Sequence, residues 1–82
     1  DPSFQKLKFH PKDIKALMHP VDFVVFEGLA VGSGIRNVTF VARMRRAPRL
    51  TSIRQSIKRT IKRKDLEWQT IRVDSKGEIE VR

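Results

Sequence analysis

Two apolar runs joined by a glycine-containing connection constrain the fold of this chain more than any other feature. Residues 21–26 are rich in Val and Phe, and their one polar member is Asp22. Residues 38–43 form the second run, and residues 29–36 connect the two. Because β-branched and aromatic side chains favour extended structure, both runs are predicted to be strands. The first is apolar on both faces except at Asp22, which predicts a strand covered on both sides.

The part of the chain ahead of these strands shows weaker patterns. Residues 1–9 are polar with isolated apolar side chains, and we expect them to form a loose lead-in. Ile14, Leu17 and Met18 are spaced by three and four positions, which predicts one or two helical turns. Pro11 fits the first turn of such a helix, where the N–H that proline lacks would have no partner.

The part after the second strand predicts one helix and two further strands. Residues 51–64 carry an apolar stripe on an otherwise basic helix, and Ser52 and Gln55 match the pattern of a capping box. Residues 66–73 are rich in β-forming side chains. Residues 78–81 alternate acidic and apolar side chains, as an exposed edge strand does.

These elements together predict an α/β fold. We expect one small mixed sheet of about four strands, in the order β-β-α-β-β, with the basic helix packed on it and Trp68 in the core. The length of 82 residues predicts a single domain spanning residues 1–82, with a modest core.

The charge of the chain is concentrated in one block. Lys and Arg together number 18 against 9 Asp and Glu, which gives a formal net charge of +9. Residues 28–64 hold eleven basic residues and no acidic one. A block of this kind is typical of proteins that bind a polyanion, most often nucleic acid. The alternative is a solvated basic surface, which would apply above all to the helix face from Lys58 to Lys64.

The composition also excludes several kinds of site. The chain has no cysteine, so disulfides, thiolate metal sites and cysteine nucleophiles are ruled out. No apolar run approaches the roughly 20 residues that span a membrane, and no signal peptide is recognisable. We therefore expect an intracellular, cytoplasmic protein without a membrane segment in this chain.

The basic block supplies the candidate nucleic-acid-binding residues. Its cations would contact phosphates and give an affinity that falls as salt rises. The sequence has no helix-turn-helix or zinc-finger pattern and no aromatic platform, so we expect recognition of shape rather than of base sequence. The candidate contacts are Arg43, Arg45, Arg46, Arg49, Arg54, Lys58, Arg59, Lys62, Arg63 and Lys64.

Asp22 is the candidate residue for chemistry, because it is an acid at the start of an apolar strand. A buried carboxylate is costly unless it is paired or bound to a metal. Two interpretations follow. Asp22 is a metal ligand, or it lies at a solvent-reachable strand end or in a salt bridge to Arg43 or Arg36.

Four segments of the chain resemble a known family. The run His-Pro-Val-Asp-Phe-Val-Val-Phe-Glu-Gly-Leu at 19–29 is followed by Val-Thr-Phe-Val at 38–41, Arg-Leu-Thr at 49–51 and Trp-Gln-Thr-Ile-Arg-Val at 68–73. This pattern resembles the archaeal endonuclease family related to Holliday junction resolvases, within the PD-(D/E)xK nuclease superfamily. The resemblance spans residues 9–73. It implies a restriction-endonuclease-like core, DNA as the nucleic acid, and a homodimer.

The resemblance also implies roles for individual positions. In the superfamily a strand-borne Asp binds a divalent cation, usually Mg²⁺, and Asp22 matches that position. A second strand supplies Glu-x-Lys, in which the Glu binds metal and the Lys helps to activate water. Here Ala42 stands in place of the Glu and Met44 in place of the Lys. Because Ala offers no ligand and Met no charge, we expect Mg²⁺ binding to be weak or absent.

No neighbouring residue fully replaces the Glu and the Lys that the resemblance implies. Arg43 should point to the opposite face of the sheet, because side chains alternate along a strand. Arg45 stays protonated and makes a poor base. Glu27 has the wrong parity to join Asp22, but it lies at a strand end, where parity fails most easily, so it is kept as a candidate metal ligand.

Three functions are compatible with these features. The first is a nucleic-acid-binding domain of nuclease fold whose catalytic half is lost or removed by mutation. The second is an active Mg²⁺-dependent endonuclease that uses a substituted ligand such as Glu27, so enzyme activity is left undecided. The third is a protein-interaction or scaffold domain with a basic face. Salt-dependent DNA binding separates the first two from the third, and Mg²⁺-dependent cleavage separates the second from the first.

Overall fold

A computed structural model describes residues 9–81 of the chain. After a single 3-10 turn, five strands and one helix follow one another, and the predicted order β-β-α-β-β is confirmed with one additional strand in front. The expected loose lead-in, apart from Phe9, lies outside the described residues. The elements are the 3-10 turn Pro11–Asp13, β1 Ile14–Ala16, β2 Phe23–Glu27, β3 Asn37–Val41, α1 Pro48–Lys62, β4 Ile71–Val73 and β5 Ile79–Val81.

The strand β2 is the centre of a three-stranded antiparallel sheet in the order β1-β2-β3. Its pairing with β3 runs from Phe23 opposite Val41 to Glu27 opposite Asn37. Val24 and Val25 are neighbours in β2 and both are buried. Since successive side chains of a strand point to opposite faces, the prediction that this strand is covered on both sides is confirmed.

The helical turns predicted around Ile14 are wrong, because this segment is the edge strand β1. Ile14 pairs with Val25, and Ala16 pairs with Phe23. Met18 has a positive φ of 75°, outside the right-handed helical region. The edge of β2 would otherwise leave a row of backbone groups without partners, and pairing with β1 outweighs the short helical periodicity.

The basic helix is confirmed, with different boundaries and a different start from those predicted. It begins at Pro48 after an Ala47 that gives no side-chain cap, so Ser52 and Gln55 lie inside the helix and form no capping box. Proline is well tolerated at the first helical position, which explains the earlier start. Its apolar stripe is only partly covered, and no residue of α1 is fully buried.

Within residues 9–81 the last two strands pair only with each other, so the strands form two antiparallel sheets rather than one mixed sheet of about four. The strand predicted at 66–73 shortens to β4, and Trp68 is exposed rather than in the core. The turn between β4 and β5 is built by Asp74, whose Oδ1 accepts hydrogen bonds from the Lys76 and Glu78 N–H groups, both at 2.9 Å. One face of this hairpin carries the exposed side chains of Ile71, Val73, Ile79 and Val81.

A buried carboxylate fixes the loop that follows β2. Asp13 accepts hydrogen bonds from the N–H of Gly28 at 3.2 Å and from that of Ala30 at 2.7 Å. Gly28 has a φ of +106°, and a Cβ built there would clash with the carbonyl oxygen of Gly34. Only glycine fits this position, because the position requires a positive φ and leaves no room for a side chain.

Residues 9–81 contain no helix whose length and hydrophobicity would let it span a membrane.

We predict that Gly28→Ala lowers the free energy of unfolding by about 3 kcal/mol, because backbone strain and the clash add together. Gly34→Ala is the matched control, since Gly34 has a similar φ of +96° and open space around it. Strain alone should cost that variant about 1 kcal/mol. Urea unfolding followed by circular dichroism measures both, and equal losses would show that the close approach to Gly34 is unimportant.

Candidate functional site

The candidate site is centred on Asp22, the residue immediately before β2. Its side chain is only 3% exposed. Its backbone N–H donates to the carbonyl oxygen of Val41 at 3.0 Å, and its carbonyl oxygen accepts from the N–H of Leu17 at 2.9 Å. The ends of β1 and β3 therefore hold the backbone of Asp22 from both sides.

The Asp22 carboxylate is surrounded by arginines. Its Oδ2 accepts from the backbone N–H of Arg43 at 2.6 Å and from Nη2 of Arg54 at 3.3 Å. Its Oδ1 accepts from Nη2 of Arg45 at 2.8 Å, and Nη2 of Arg43 lies at 3.5 Å. We call Asp22, Arg43, Arg45 and Arg54 the arginine cluster. Of the partners considered for a salt bridge, Arg43 is in contact with Asp22, and Arg36 is not among the described contacts.

These contacts keep Asp22 ionised. The hydrogen bond from the backbone N–H of Arg43 is the largest influence, and it lowers the pKa of Asp22. Burial acts in the opposite direction, while the positive charges of Arg45, Arg43 and Arg54 lower the pKa further. The net result is a carboxylate whose pKa lies below its ordinary value despite its burial.

Arg54 connects the helix α1 to the rest of the cluster. Its Nε donates to the carbonyl oxygen of Pro20 at 2.9 Å, and its Nη1 donates to that of Arg43 at 2.6 Å. The side chain is 13% exposed. The sequence predicts that Arg54 contacts nucleic acid, but its guanidinium is used within the protein. Its position beside the apolar stripe of α1 is the sequence signal that it lies on the covered side of the helix.

The other candidate cations are more accessible. The side chains of Arg43 and Arg45 are 56% and 47% exposed. Lys58 and Lys62 follow Arg54 at intervals of four positions, so the three form one row along α1 with a spacing of about 6 Å. Arg63 makes a loose ion pair of 3.7 Å with Asp65. The remaining exposed candidates are Arg46, Arg49, Lys58, Arg59, Lys62, Arg63 and Lys64.

The two positions at which the resemblance implies a Glu-x-Lys pair lie next to this row. Ala42 and Met44 follow β3 and line one cavity of about 410 Å³ together with Phe40. Ile57 and Lys58 of α1 form part of its opposite wall. Met44 is 99% exposed. The structure thus brings Ala42, Met44 and the basic helix to the same groove.

The donor set around Asp22 does not fit Mg²⁺. Glu27 lies at the far end of β2, about 16 Å along the strand from Asp22, so the structure does not bring the two carboxylates together. Within the described part of the chain, no group of three or more His, Cys, Asp or Glu side chains could hold a metal ion. Mg²⁺ sites in proteins use carboxylate and water oxygens, whereas the oxygens of Asp22 accept from arginines.

We predict that stability depends on the ionisation of Asp22. A carboxyl group whose pKa is lowered by folding stabilises the protein above its unfolded pKa, and the contribution is lost as pH falls through the folded pKa. The parent should therefore lose stability progressively below about pH 4. In Asp22→Asn this part of the acid dependence should disappear.

Urea unfolding at pH 7 and pH 3 measures this effect. Asp65→Asn is the control, because Asp65 is an exposed acid in a loose ion pair, and its variant should keep the acid dependence of the parent. An unchanged acid dependence in Asp22→Asn would show that the ionisation of Asp22 contributes nothing to stability.

Comparison with known proteins identifies a family for this chain. The model of one family, described as endonuclease related to archaeal Holliday junction resolvase, matches residues 1–73. Searches of curated proteins and of solved structures gave no match. The matched segment contains the arginine cluster, the groove beside Ala42 and the whole of α1. The chain therefore belongs to the family of endonucleases related to archaeal Holliday junction resolvases.

Proposed function

We propose that this chain is a DNA-binding domain of nuclease fold that binds the phosphate backbone without cleaving it. The observation that carries this proposal is the row of cations that runs from the arginine cluster along α1. Arg54 starts the row, but its guanidinium is used within the protein. The row spans about 12 Å of the helix, and its exposed members are Lys58 and Lys62. The exposed side chains of Arg43 and Arg45 lie beside its start.

Charge supports a polyanionic partner. No acidic residue occurs between Glu27 and Asp65, so the cations of this segment have no acidic neighbour within it to neutralise their charge. The exposed cations are available to phosphates, and contacts to phosphates release counterions. Since the sequence contains no helix-turn-helix or zinc-finger pattern, we expect recognition of DNA shape rather than of base sequence.

The positions around Asp22 support a loss of cleavage. The register of β2 with β3 ends at Phe23 opposite Val41, and one further step places Ala42 opposite Asp22. A glutamate at that position would adjoin the aspartate, as metal-dependent cleavage by two carboxylates requires. Alanine supplies no ligand there, and Met44 supplies neither charge nor proton. A homodimer and a cytoplasmic location stay predictions.

We predict that removing the charges of Lys58 and Lys62 weakens DNA binding more than removing two positive charges elsewhere on the chain. The double variant Lys58→Gln and Lys62→Gln should bind a labelled four-way junction about tenfold more weakly than the parent. A plot of log affinity against log salt concentration should also become less steep. Its slope should change by about 0.9 for each phosphate contact that the variant loses on a duplex arm. Fluorescence anisotropy at several salt concentrations measures both quantities.

The matched control removes the same charge elsewhere. Lys12→Gln and Lys15→Gln are exposed changes on the 3-10 turn and β1, outside the basic block. This double variant should keep most of the affinity and the salt slope of the parent. Equal losses in the two double variants would show that only net charge matters and that α1 is not the contact surface.

We also predict that the parent binds junction and linear duplex DNA without cutting either, with or without Mg²⁺. The double variant Ala42→Glu and Met44→Lys restores the Glu-x-Lys pair opposite Asp22, and it should gain Mg²⁺-dependent cleavage. Denaturing gels of end-labelled DNA score cutting, and native gels score binding on the same samples. Cutting by the parent would overturn the proposal and require another metal ligand to be identified.

A further inference from the structure

We propose that Asp22 positions Arg43 and Arg45 as a binding site for one backbone phosphate of DNA, and that it does not act as a ligand of a divalent cation. The inference rests on the proposed function and adds the site at which a phosphate binds. It also assigns to Asp22 a role opposite to the one that the resemblance implies, because the carboxylate organises groups that attract anions.

The charge balance of the cluster favours an anion. One carboxylate faces three guanidinium groups at distances of 2.8 to 3.5 Å. Arginine stays protonated in proteins, so the cluster carries an excess of two positive charges. A phosphodiester carries one negative charge and can accept two parallel hydrogen bonds from a guanidinium.

Arg45 and Arg43 have the donors that such a phosphate needs. Among the described contacts, the Arg45 side chain donates only through Nη2 to Asp22, and 47% of it is exposed. Arg43 donates its backbone N–H to Asp22, and its guanidinium lies 5.9 Å from the centre of the Phe23 ring. Both guanidinium groups are thus held in place before a ligand arrives, which lowers the entropy that binding would cost.

Arg54 plays a different part in the cluster. It is only 13% exposed, and its donors go to Pro20, Arg43 and Asp22. Since the carbonyl oxygen of Arg43 accepts from Arg54 and the N–H of Arg43 donates to Asp22, the backbone of Arg43 is fixed on both sides. Arg54 therefore anchors the cluster, and Arg43 and Arg45 are the groups that face a ligand.

The same arrangement disfavours a divalent cation. Mg²⁺ would have to displace arginine donors from Asp22 and approach three positive charges, and no cluster of metal-ligating side chains lies within the described residues. Loss of Asp22 should therefore change DNA binding equally with and without Mg²⁺.

The test compares Asp22→Asn with the parent in binding a labelled four-way junction, in Mg²⁺ and in EDTA at equal ionic strength. Removing a negative charge from a basic protein should strengthen DNA binding if only net charge matters. We expect the opposite, a loss of about tenfold, because the arginines lose the carboxylate that aligns them. The loss should be the same in both buffers.

Arg45→Gln provides a second variant that does not depend on a buried residue. Arg36→Gln is its matched control, because Arg36 is an exposed arginine just before the far end of β3. We expect Arg45→Gln to weaken binding about as much as Asp22→Asn, and the double variant to show little additional loss. Arg36→Gln should have a much smaller effect. Circular dichroism confirms that each variant is folded before binding is measured.

Two outcomes would overturn the inference while the proposed function stands. If the parent binds DNA and folded Asp22→Asn binds as well or better, Asp22 does not position the arginines. If the loss appears only in Mg²⁺, Asp22 acts through a bound cation. If the parent shows no salt-dependent binding, the proposed function itself fails, and the inference fails with it.

Discussion

The carboxylate of Asp22 and its arginine partners hold together three segments that are distant in sequence. Asp22 precedes β2, Arg43 and Arg45 follow β3, and Arg54 belongs to α1. No residue of α1 is fully buried, so apolar packing alone attaches the helix weakly to the sheet. The bonds of Arg54 to Pro20, Arg43 and Asp22 therefore largely determine where the basic face of the helix lies.

Buried polar contacts position the helix and the loops because the apolar core is small. Among residues 9–81, the buried hydrophobic side chains are Val21, Val24 and Val25. The two buried acids, Asp13 and Asp22, lie near opposite ends of β2 and each fixes a loop through backbone N–H groups. Such contacts are directional, so they set the positions of loops more sharply than a few valines can.

The sequence predicts the elements whose signal is local, and it misses those that depend on distant partners. The apolar runs of β2 and β3 and the periodic stripe of α1 identify these elements, because propensity and burial agree there. The three-residue strand β1 forms by pairing with β2, which no local pattern around Ile14 reveals. The short C-terminal strands are recognisable in the sequence, but their separation from the first sheet depends on packing, and the exposure of Trp68 follows from it.

In the candidate site too, the sequence identifies a residue with a local signal but does not reveal its distant partners. Asp22 stands out in the sequence as an acid in an apolar strand, but the arginines that decide its chemistry lie between 21 and 32 positions away in the chain. Charge composition identifies Arg54 as basic and cannot distinguish a phosphate contact from an internal anchor. The low exposure of Arg54 and its contacts within the protein favour an internal anchor. In the same way, only the structure shows that Asp13 is buried and binds backbone N–H groups of a loop.

The neighbours of a carboxylate decide which charge it attracts. In the arrangement that the family resemblance implies, a Glu beside Asp22 would give two negative charges and attract a cation. With Ala42 in that place, one negative charge remains among three guanidinium groups, and the sign of the local field favours an anion. Alanine at this position offers no ligand, and the arginines are the dominant charge around Asp22. Under the proposed function, this site binds a phosphate at the place where the resemblance implies cleavage, and it does not cleave the strand.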